Sequence, residues 1–353
     1  MGYPHRHGTL PTSGGGRFAD IDLVKTVAIL CVICIHVCAP CYQRPLGSLD
    51  WMGGLFWGSL TRAGVPLFFM CSGALMLDPE RELGVKELYS RKILRLVLAL
   101  FFWAFAYKVF RLAVAGALDG PSLLTAIKEL LLFRHEQHLY FLHIILLVYA
   151  CLPVTRVFVK NADEKQFRYF LALWFAAGIL YPTLRPFWPF RLLGGIPAQW
   201  LLNMTWASVG YGVLGYYLRM QPLPRRFAAA AAVGGWLSVF GGTYLMSMRS
   251  GASYFGFFEG MSAGVCLLAA GVFALCVGAT SKNVRFISYI GKASFCMYLT
   301  HIFFLDAFAY CGFSALTLPC FIAVPLVTLT VASVSAALYL VLSRIPVMKD
   351  WLL

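Results

Sequence analysis

The stretch Asp22-Leu23-Val24-Lys25-Thr26-Val27-Ala28-Ile29-Leu30-Cys31-Val32-Ile33-Cys34-Ile35-His36 opens an apolar run that continues to about residue 41. That is enough to cross a bilayer core as a helix. Only three ionisable side chains interrupt it, and they share nearly one face. An imidazole at membrane depth is costly unless it has partners or a task, so His36 is a functional candidate. Lys25 stands eleven residues earlier, about three turns and ~16 Å away along the axis. Asp22 falls close to the same stripe. A cation near one membrane edge, aligned with a deeper imidazole, suggests the two ends of a substrate slot.

The rest of the chain repeats this apolar character. Of 353 residues, 60% are hydrophobic and 12% charged, with a mean hydropathy of +0.75. Soluble domains carry about 25% charged residues, so this composition belongs to lipid. Ten apolar spans are read at about 22–41, 52–77, 93–118, 138–159, 166–181, 200–219, 227–247, 258–280, 286–311 and 315–343. The expected fold is all-α, a polytopic membrane helix bundle. With the N-terminus inside, 20 of the 29 Lys and Arg residues fall in cytoplasmic segments or helix ends. That bias places both termini in the cytoplasm. It also accounts for the net charge of +14 without a nucleic-acid partner. Residues 1–18 read as a mobile cytoplasmic tail and 19–353 as a single membrane domain, with no cleavable signal peptide. Two connections stand out. Residues 121–137 carry Leu123, Leu124, Ile127, Leu130 and Leu131 at helical spacing, an amphipathic segment at the outer interface. Residues 181–200, rich in Pro and aromatics, read as a folded outer loop.

The eleven cysteines lie almost all in apolar segments, where cysteine packs as a small hydrophobe. The two C-x-x-C spacings among Cys31, Cys34, Cys38 and Cys41 form a helix stripe away from His36 rather than a metal motif, and no redox compartment follows from them. His135, His138 and His143 do not make a one-face metal spacing either. His138 is read as an interfacial histidine or an acceptor contact.

Other polar residues inside spans point to a site. Arg62 lies mid-span beside Gly64 and Pro66. It reads either as a cation stabilising developing negative charge or as half of an ion pair with Asp306 or Glu259. Arg91, Lys92 and Arg95 stand at a span entrance, with Arg91 and Arg95 four apart on one face. They read equally as a topology signal or as a phosphate site. Lys108 and Arg111 either snorkel outward or face an anionic acceptor. Gly291, Ser294, Tyr298 and His301 form one stripe of the ninth span, with His301 a second deep histidine.

With these residues in view, the chain resembles the acyltransferase 3 family of membrane O-acyltransferases. The likeness rests on Asp22, Lys25 and His36, with lysine where the family carries arginine. It rests further on Val65-Pro66-Leu67-Phe68-Phe69-Met70-Cys71-Ser72-Gly73, on Arg91 to Arg95, on His138-Leu139-Tyr140-Phe141-Leu142, and on Ser294-Phe295-Cys296-Met297-Tyr298-Leu299-Thr300-His301. In outline it is similar to short single-domain members, such as those acting on the enterobacterial common antigen. The resemblance implies a multi-pass protein of the bacterial inner membrane. It would move an acyl group, acetyl first, from cytosolic acyl-CoA to a hydroxyl of a surface glycan or lipid-linked sugar.

In that scheme acyl-CoA is a co-substrate and no cofactor or metal is held permanently. The catalytic candidates are His36 as general base, Arg62, His301, Tyr298 and Ser72. The donor candidates are Asp22, Lys25, Arg91, Lys92 and Arg95, and the acceptor candidates are His138, Lys108 and Glu259. The rival reading is an exporter or flippase of glycan or lipid, since polar residues in a bundle also mark permeation paths. No inverted repeat in the hydropathy supports it. Reporter fusions that are active only outside the cytoplasm are expected to be silent at Leu353 and active just after residue 45. Activity at Leu353 would overturn the ten-span topology.

Overall fold

The computed structural model describes residues 19–279 and 284–353. The expected N-terminal tail and Lys282 lie outside the described residues. Among these residues no strand occurs, and helices line up with all ten expected spans. Among the described residues eight helices are long and apolar enough to cross a membrane, or nine if a bent pair counts as one span. The chain is therefore a multi-pass integral membrane protein built as a helical bundle.

Helix α1 (Ala19–Val37) runs through the centre. It packs against α2 (Leu49–Thr61), α3 (Gly64–Met76), α11 (Ala263–Val277), α12 (Val284–Tyr310) and α13 (Cys320–Leu342). Val24, Ala28, Ile29 and Ile33 are wholly buried along it. Helices α2 and α3 form one span that is interrupted, not broken. Arg62 and Ala63 stay in right-handed helical geometry between them. Pro66 sits in the first turn of α3, where its missing N–H leaves no bond unmade. Gly64 is needed because a Cβ there would come within 3.0 Å of the Cys31 Cβ and the Val32 nitrogen on α1.

Helix α4 (Leu94–Val114) is entered through a π-helical segment, Leu88–Ile93. Helix α5 (Gly120–Leu131), capped by the Asp119 side chain accepting from the Ser122 N–H at 2.8 Å, is the expected amphipathic segment. Its Leu124 and Leu131 are exposed and its Ala126 buried. A 3-10 turn, Gln137–Leu139, leads into α6 (Tyr140–Ala150), which meets α7 (Leu152–Asn161) at a bend of 50°. Pro153 at the start of α7 cannot donate to the preceding turn, which is the cause of the bend. Helix α8 (Glu164–Phe175) begins the next span, and short 3-10 turns at Phe190–Leu193 and Ile196–Trp200 give the expected folded loop.

Helix α9 (Met204–Met220) is the sixth expected span. Its 17 residues reach only about 26 Å, short of a ~30 Å hydrocarbon core. It is held instead by close backbone contact with α3. A Cβ on Gly73 would stand 1.8 Å from the Gly212 carbonyl oxygen, and one on Gly215 would stand 2.2 Å from that of Met70. In lipid, where apolar burial drives no helix association, such small-residue approaches supply the packing. Arg219 ties the same corner, pairing with Asp20 at 3.3 Å and donating to the Ala74 carbonyl at 3.1 Å. Helix α10 (Arg225–Ser250) packs on α11.

Replacing Gly73 by Val forces α3 and α9 apart, with an expected cost of at least ~1–3 kcal/mol. Gly234 on α10 has nothing within 4 Å of its missing Cβ and serves as the control. In detergent, Gly73→Val is expected to lower the unfolding midpoint clearly and Gly234→Ala to leave it unchanged. Equal midpoints would remove the glycine contact from the account of this corner.

Candidate active site

Three histidines from three separate elements meet inside the bundle. His36 occupies the last turn of α1, His138 the 3-10 turn before α6, and His301 the middle of α12. Their ring centroids lie 5.1 Å apart for His36 and His301, 5.4 Å for His138 and His301, and 6.2 Å for His36 and His138. His301 is fully buried and His138 is 5% exposed. The His301 Nδ1 lies 2.7 Å from the Tyr298 carbonyl and 3.2 Å from that of Met297. A carbonyl only accepts, so Nδ1 carries the hydrogen, and Nε2 of the neutral ring holds a lone pair. That Nε2 is buried and, among the described residues, has no hydrogen-bond partner; the same holds for Nε2 of His138.

Two tyrosines fix the frame. Tyr298 donates to the His138 carbonyl at 2.5 Å, joining α12 to the 3-10 turn. Tyr107 of α4 donates to the Leu299 carbonyl at 2.8 Å and sets its ring edge-on to His138 at 4.9 Å. Buried phenol hydroxyls need such partners, and here each one cross-links two elements at the cluster.

Two cavities adjoin the cluster, one through Tyr298 and one through His36. The larger, about 610 Å³, is lined by six cations: Lys25, Arg81, Lys92, Arg95, Lys292 and Lys349. Ser72, Tyr149, Phe141 and Phe295 add to its walls, and Tyr298 lines it as well. The smaller, about 200 Å³, is lined by His36, Asp306 and Ser314 among apolar residues that include Ile302, Phe313 and Val327. Thus Tyr298 faces one cavity while its hydroxyl holds the His138 backbone, and His36 faces the other. Convergent polar groups within a largely apolar pocket are the usual form of a small-molecule site.

Several residues lie elsewhere than the sequence suggests. Arg91 is exposed and does not line the cavity, whereas Lys92 and Arg95 do. All three stand at the junction where the π-helical segment Leu88–Ile93 passes into α4, and only Lys92 and Arg95 are part-buried there. Asp22 is buried against α12, where it accepts from Ser288 at 2.9 Å, and Gly291 has no Cβ because one would lie 2.8 Å from the Asp22 Cβ. It locks helices rather than lining the cationic cavity. Ser72 lines that cavity and not the histidine cluster.

His138 is inside the cluster, not at an interface, while His135 and His143 pair with each other at 2.8 Å through their Nε2 atoms. Lys108 is engaged by Glu129 of α5, so it neither snorkels nor faces the smaller cavity. Arg111 is held by Glu136 at 2.8 and 3.0 Å and lies 3.3 Å from Asp306. Among the described residues Arg62 makes no ion pair with Asp306 or Glu259, and Asp306 lies beside Arg111 instead. Arg62 lies over the Phe258 ring at 4.0 Å, with Nε buried and without a hydrogen-bond partner among the described residues. Glu259 is exposed on the loop next to Phe258. Arg81, Lys292, Lys349 and Tyr149 were not candidates from sequence. The charges of Arg81, Lys292 and Lys349 read as topology signals, and the C-terminal turn Met348–Leu352 reaches the cavity because it docks on α4, where Trp103 donates to the Leu352 carbonyl at 3.0 Å.

The fold and site thus define a multi-pass membrane protein with a buried polar centre, a cationic cavity and a smaller mixed one. Its sequence matches the acyltransferase 3 family, an acyltransferase domain, over residues 18–342, and the chain belongs to that family. It is a membrane acyltransferase. No curated protein and no solved structure matches it.

Proposed function

We propose that this protein transfers an acyl group, acetyl first among candidates, from acyl-CoA to a hydroxyl of a glycan or lipid-linked sugar. The observation that carries the reading is the continuity from six cations to Tyr298, and from Tyr298 to the histidine cluster. A nucleotide with three phosphate groups calls for clustered Lys and Arg, and the cationic cavity offers them at the Lys25 end. The pantetheine arm then lies along α1 for the ~16 Å that separate Lys25 from His36. The thioester arrives at the histidines.

The chemistry follows from the residues present. Neutral His36 takes the proton of the acceptor hydroxyl as its oxygen attacks the thioester carbonyl. Arg62 stabilises the tetrahedral oxyanion. The carbon–sulfur bond breaks, and the proton on His36 passes to the departing CoA thiolate, so the acyl ester and free CoA are the products. His301, with Nδ1–H committed to backbone carbonyls, presents its Nε2 lone pair to the cluster and steadies His36 in its protonated form. Asp306 and Ser314, among the apolar residues of the smaller cavity, suit a hydroxyl-rich acceptor that carries an apolar carrier. On the charge-bias topology, the cationic cavity opens to the cytosol and the smaller one to the outer face, in the bacterial inner membrane. The test is release of free CoA from acetyl-CoA by the purified protein in the presence of envelope glycolipid. Glycolipid movement without CoA release would instead assign it as an exporter.

Two variant series sharpen this. Losing a charge-assisted contact costs about 1.5–3 kcal/mol, roughly tenfold or more in affinity. Lys92→Ala and Arg95→Ala are each expected to weaken acetyl-CoA binding by that order, and Arg91→Ala to leave it within about twofold. Calorimetric titration checks this. An Arg91 effect as large as that of Arg95 would reject the cavity as the donor site.

Removing a general base costs about 10²–10⁴-fold in rate. His36→Gln keeps a hydrogen-bonding side chain but accepts no proton, so it is expected to lose turnover by that factor while still binding acetyl-CoA. Near-normal turnover in His36→Gln would transfer the base role to another residue, His301 first.

A further inference from the structure

We propose that Cys41 and Cys320 form a disulfide that clasps the His36 end of the bundle. Cys41 lies in the 3-10 turn Ala39–Gln43 that follows α1, and Cys320 is the first residue of α13. They are 279 residues apart in sequence, both wholly buried, and their Sγ atoms stand 2.9 Å from each other. Non-bonded carbons rest about 3.5–4.0 Å apart, and sulfur is larger, so the two thiols sit well inside ordinary contact.

The arrangement is enforced by neighbours rather than by the sulfurs alone. Two consecutive glycines of α2 lie against the pair. A Cβ on Gly53 would come within 2.9 Å of the Cys320 Cβ, and one on Gly54 within 2.5 Å of the Cys41 Cβ. The backbone of α2 therefore presses the two cysteine side chains side by side. Asp50, one turn earlier on α2, accepts from the Cys320 N–H at 3.1 Å and fixes the start of α13. Side-chain proximity of this kind is what a disulfide requires, since two cysteines with diverging Cβ vectors cannot be bridged.

Both residues stand at span ends, Cys41 near the close of the first span and Cys320 at the opening of the last. On the charge-bias topology this end faces the oxidising side of the membrane, where disulfides form and persist. The step is thiol–disulfide exchange with a protein disulfide donor before α13 closes on α2. The Cys41 thiolate attacks a donor sulfur and releases one donor thiol. The Cys320 thiolate then attacks the Cys41 sulfur of the mixed disulfide and releases the second. Two cysteine protons leave, and the donor disulfide is reduced to two thiols.

The bridge also bears on the proposed acceptor cavity. Ala39 and Pro40 lie directly before Cys41, and the carbonyl of Ala315 accepts from Cys320 Sγ at 3.3 Å; all three residues line the cavity that holds His36. Joining the cysteines pins opposite walls of that cavity.

The test uses the full-length chain expressed with an oxidising extracytoplasmic compartment, then denatured with an alkylating agent and no reductant. Of eleven cysteines, nine are expected to be alkylated, with a single linked peptide pair containing Cys41 and Cys320. Prior reduction should raise the count to eleven. Full alkylation without reduction, or a linkage involving any other cysteine, overturns the proposal. Cys41→Ser and Cys320→Ser are each expected to leave the ten remaining thiols all alkylated. The wild-type peptide map decides the matter should either variant fail to fold.

Discussion

A helix carrying Asp22, Lys25 and His36 has to be buried on all sides, and the rest of the structure answers to that requirement. In a bilayer the polar side chains of a central helix find partners within the bundle or line a cavity; lipid offers them nothing. Each of the three takes a different solution. Asp22 is satisfied by α12 through Ser288, Lys25 opens into the cationic cavity, and His36 faces the smaller cavity beside His301. Close approach to α1 is secured by glycines on two neighbours, Gly64 of α3 and Gly291 of α12. The first of these also determines where Arg62 lies, because the interruption between α2 and α3 is where α1 is met.

The histidine cluster is rigid for a related reason. Its members come from elements distant in sequence, and two of the three are tied by hydrogen bonds that involve backbone carbonyls. His301 is committed through Nδ1 to its own helix, and the carbonyl of His138 is held by Tyr298. Fixing the tautomer of one imidazole defines which nitrogen is basic, and preorganised groups of this kind need no rearrangement during a transfer. Ion pairs at the rim, Lys108 with Glu129 and Arg111 with Glu136, attach the amphipathic helix α5 and its following loop to α4. Partly exposed pairs of this sort add little stability. They tie that segment to α4, and they account for cations that would otherwise be assigned to substrate.

Much of this architecture was legible in the linear chain, because lipid imposes a simple rule on it. Apolar runs of bilayer length had to be helices, and the amphipathic spacing of residues 121–137 set that segment apart from a span. Charge within a span stood out against the composition, which singled out His36, Arg62 and His301. The family motifs at the first, second, fourth and ninth spans lie on elements that meet in the structure, consistent with the match over residues 18–342.

What the sequence determined by itself was the helical membrane class, the approximate spans and the rarity of the deep polar residues, since each follows from transfer energies of single side chains. Only the tertiary structure decided which of those residues touch. Arg91 stayed exposed while Lys92 and Arg95 lined the cavity, a docked C-terminal turn brought Lys349 to it, and Lys108 found Glu129 rather than an open site. His138 looked interfacial by position in the chain, yet it lies against His301 because Tyr298 anchors its turn. Periodicity along one helix says which residues share a face, but the partner of that face is set by packing between helices. Glycine approaches, bends and irregular turns govern that packing, and none of them leaves a periodic signal in the chain.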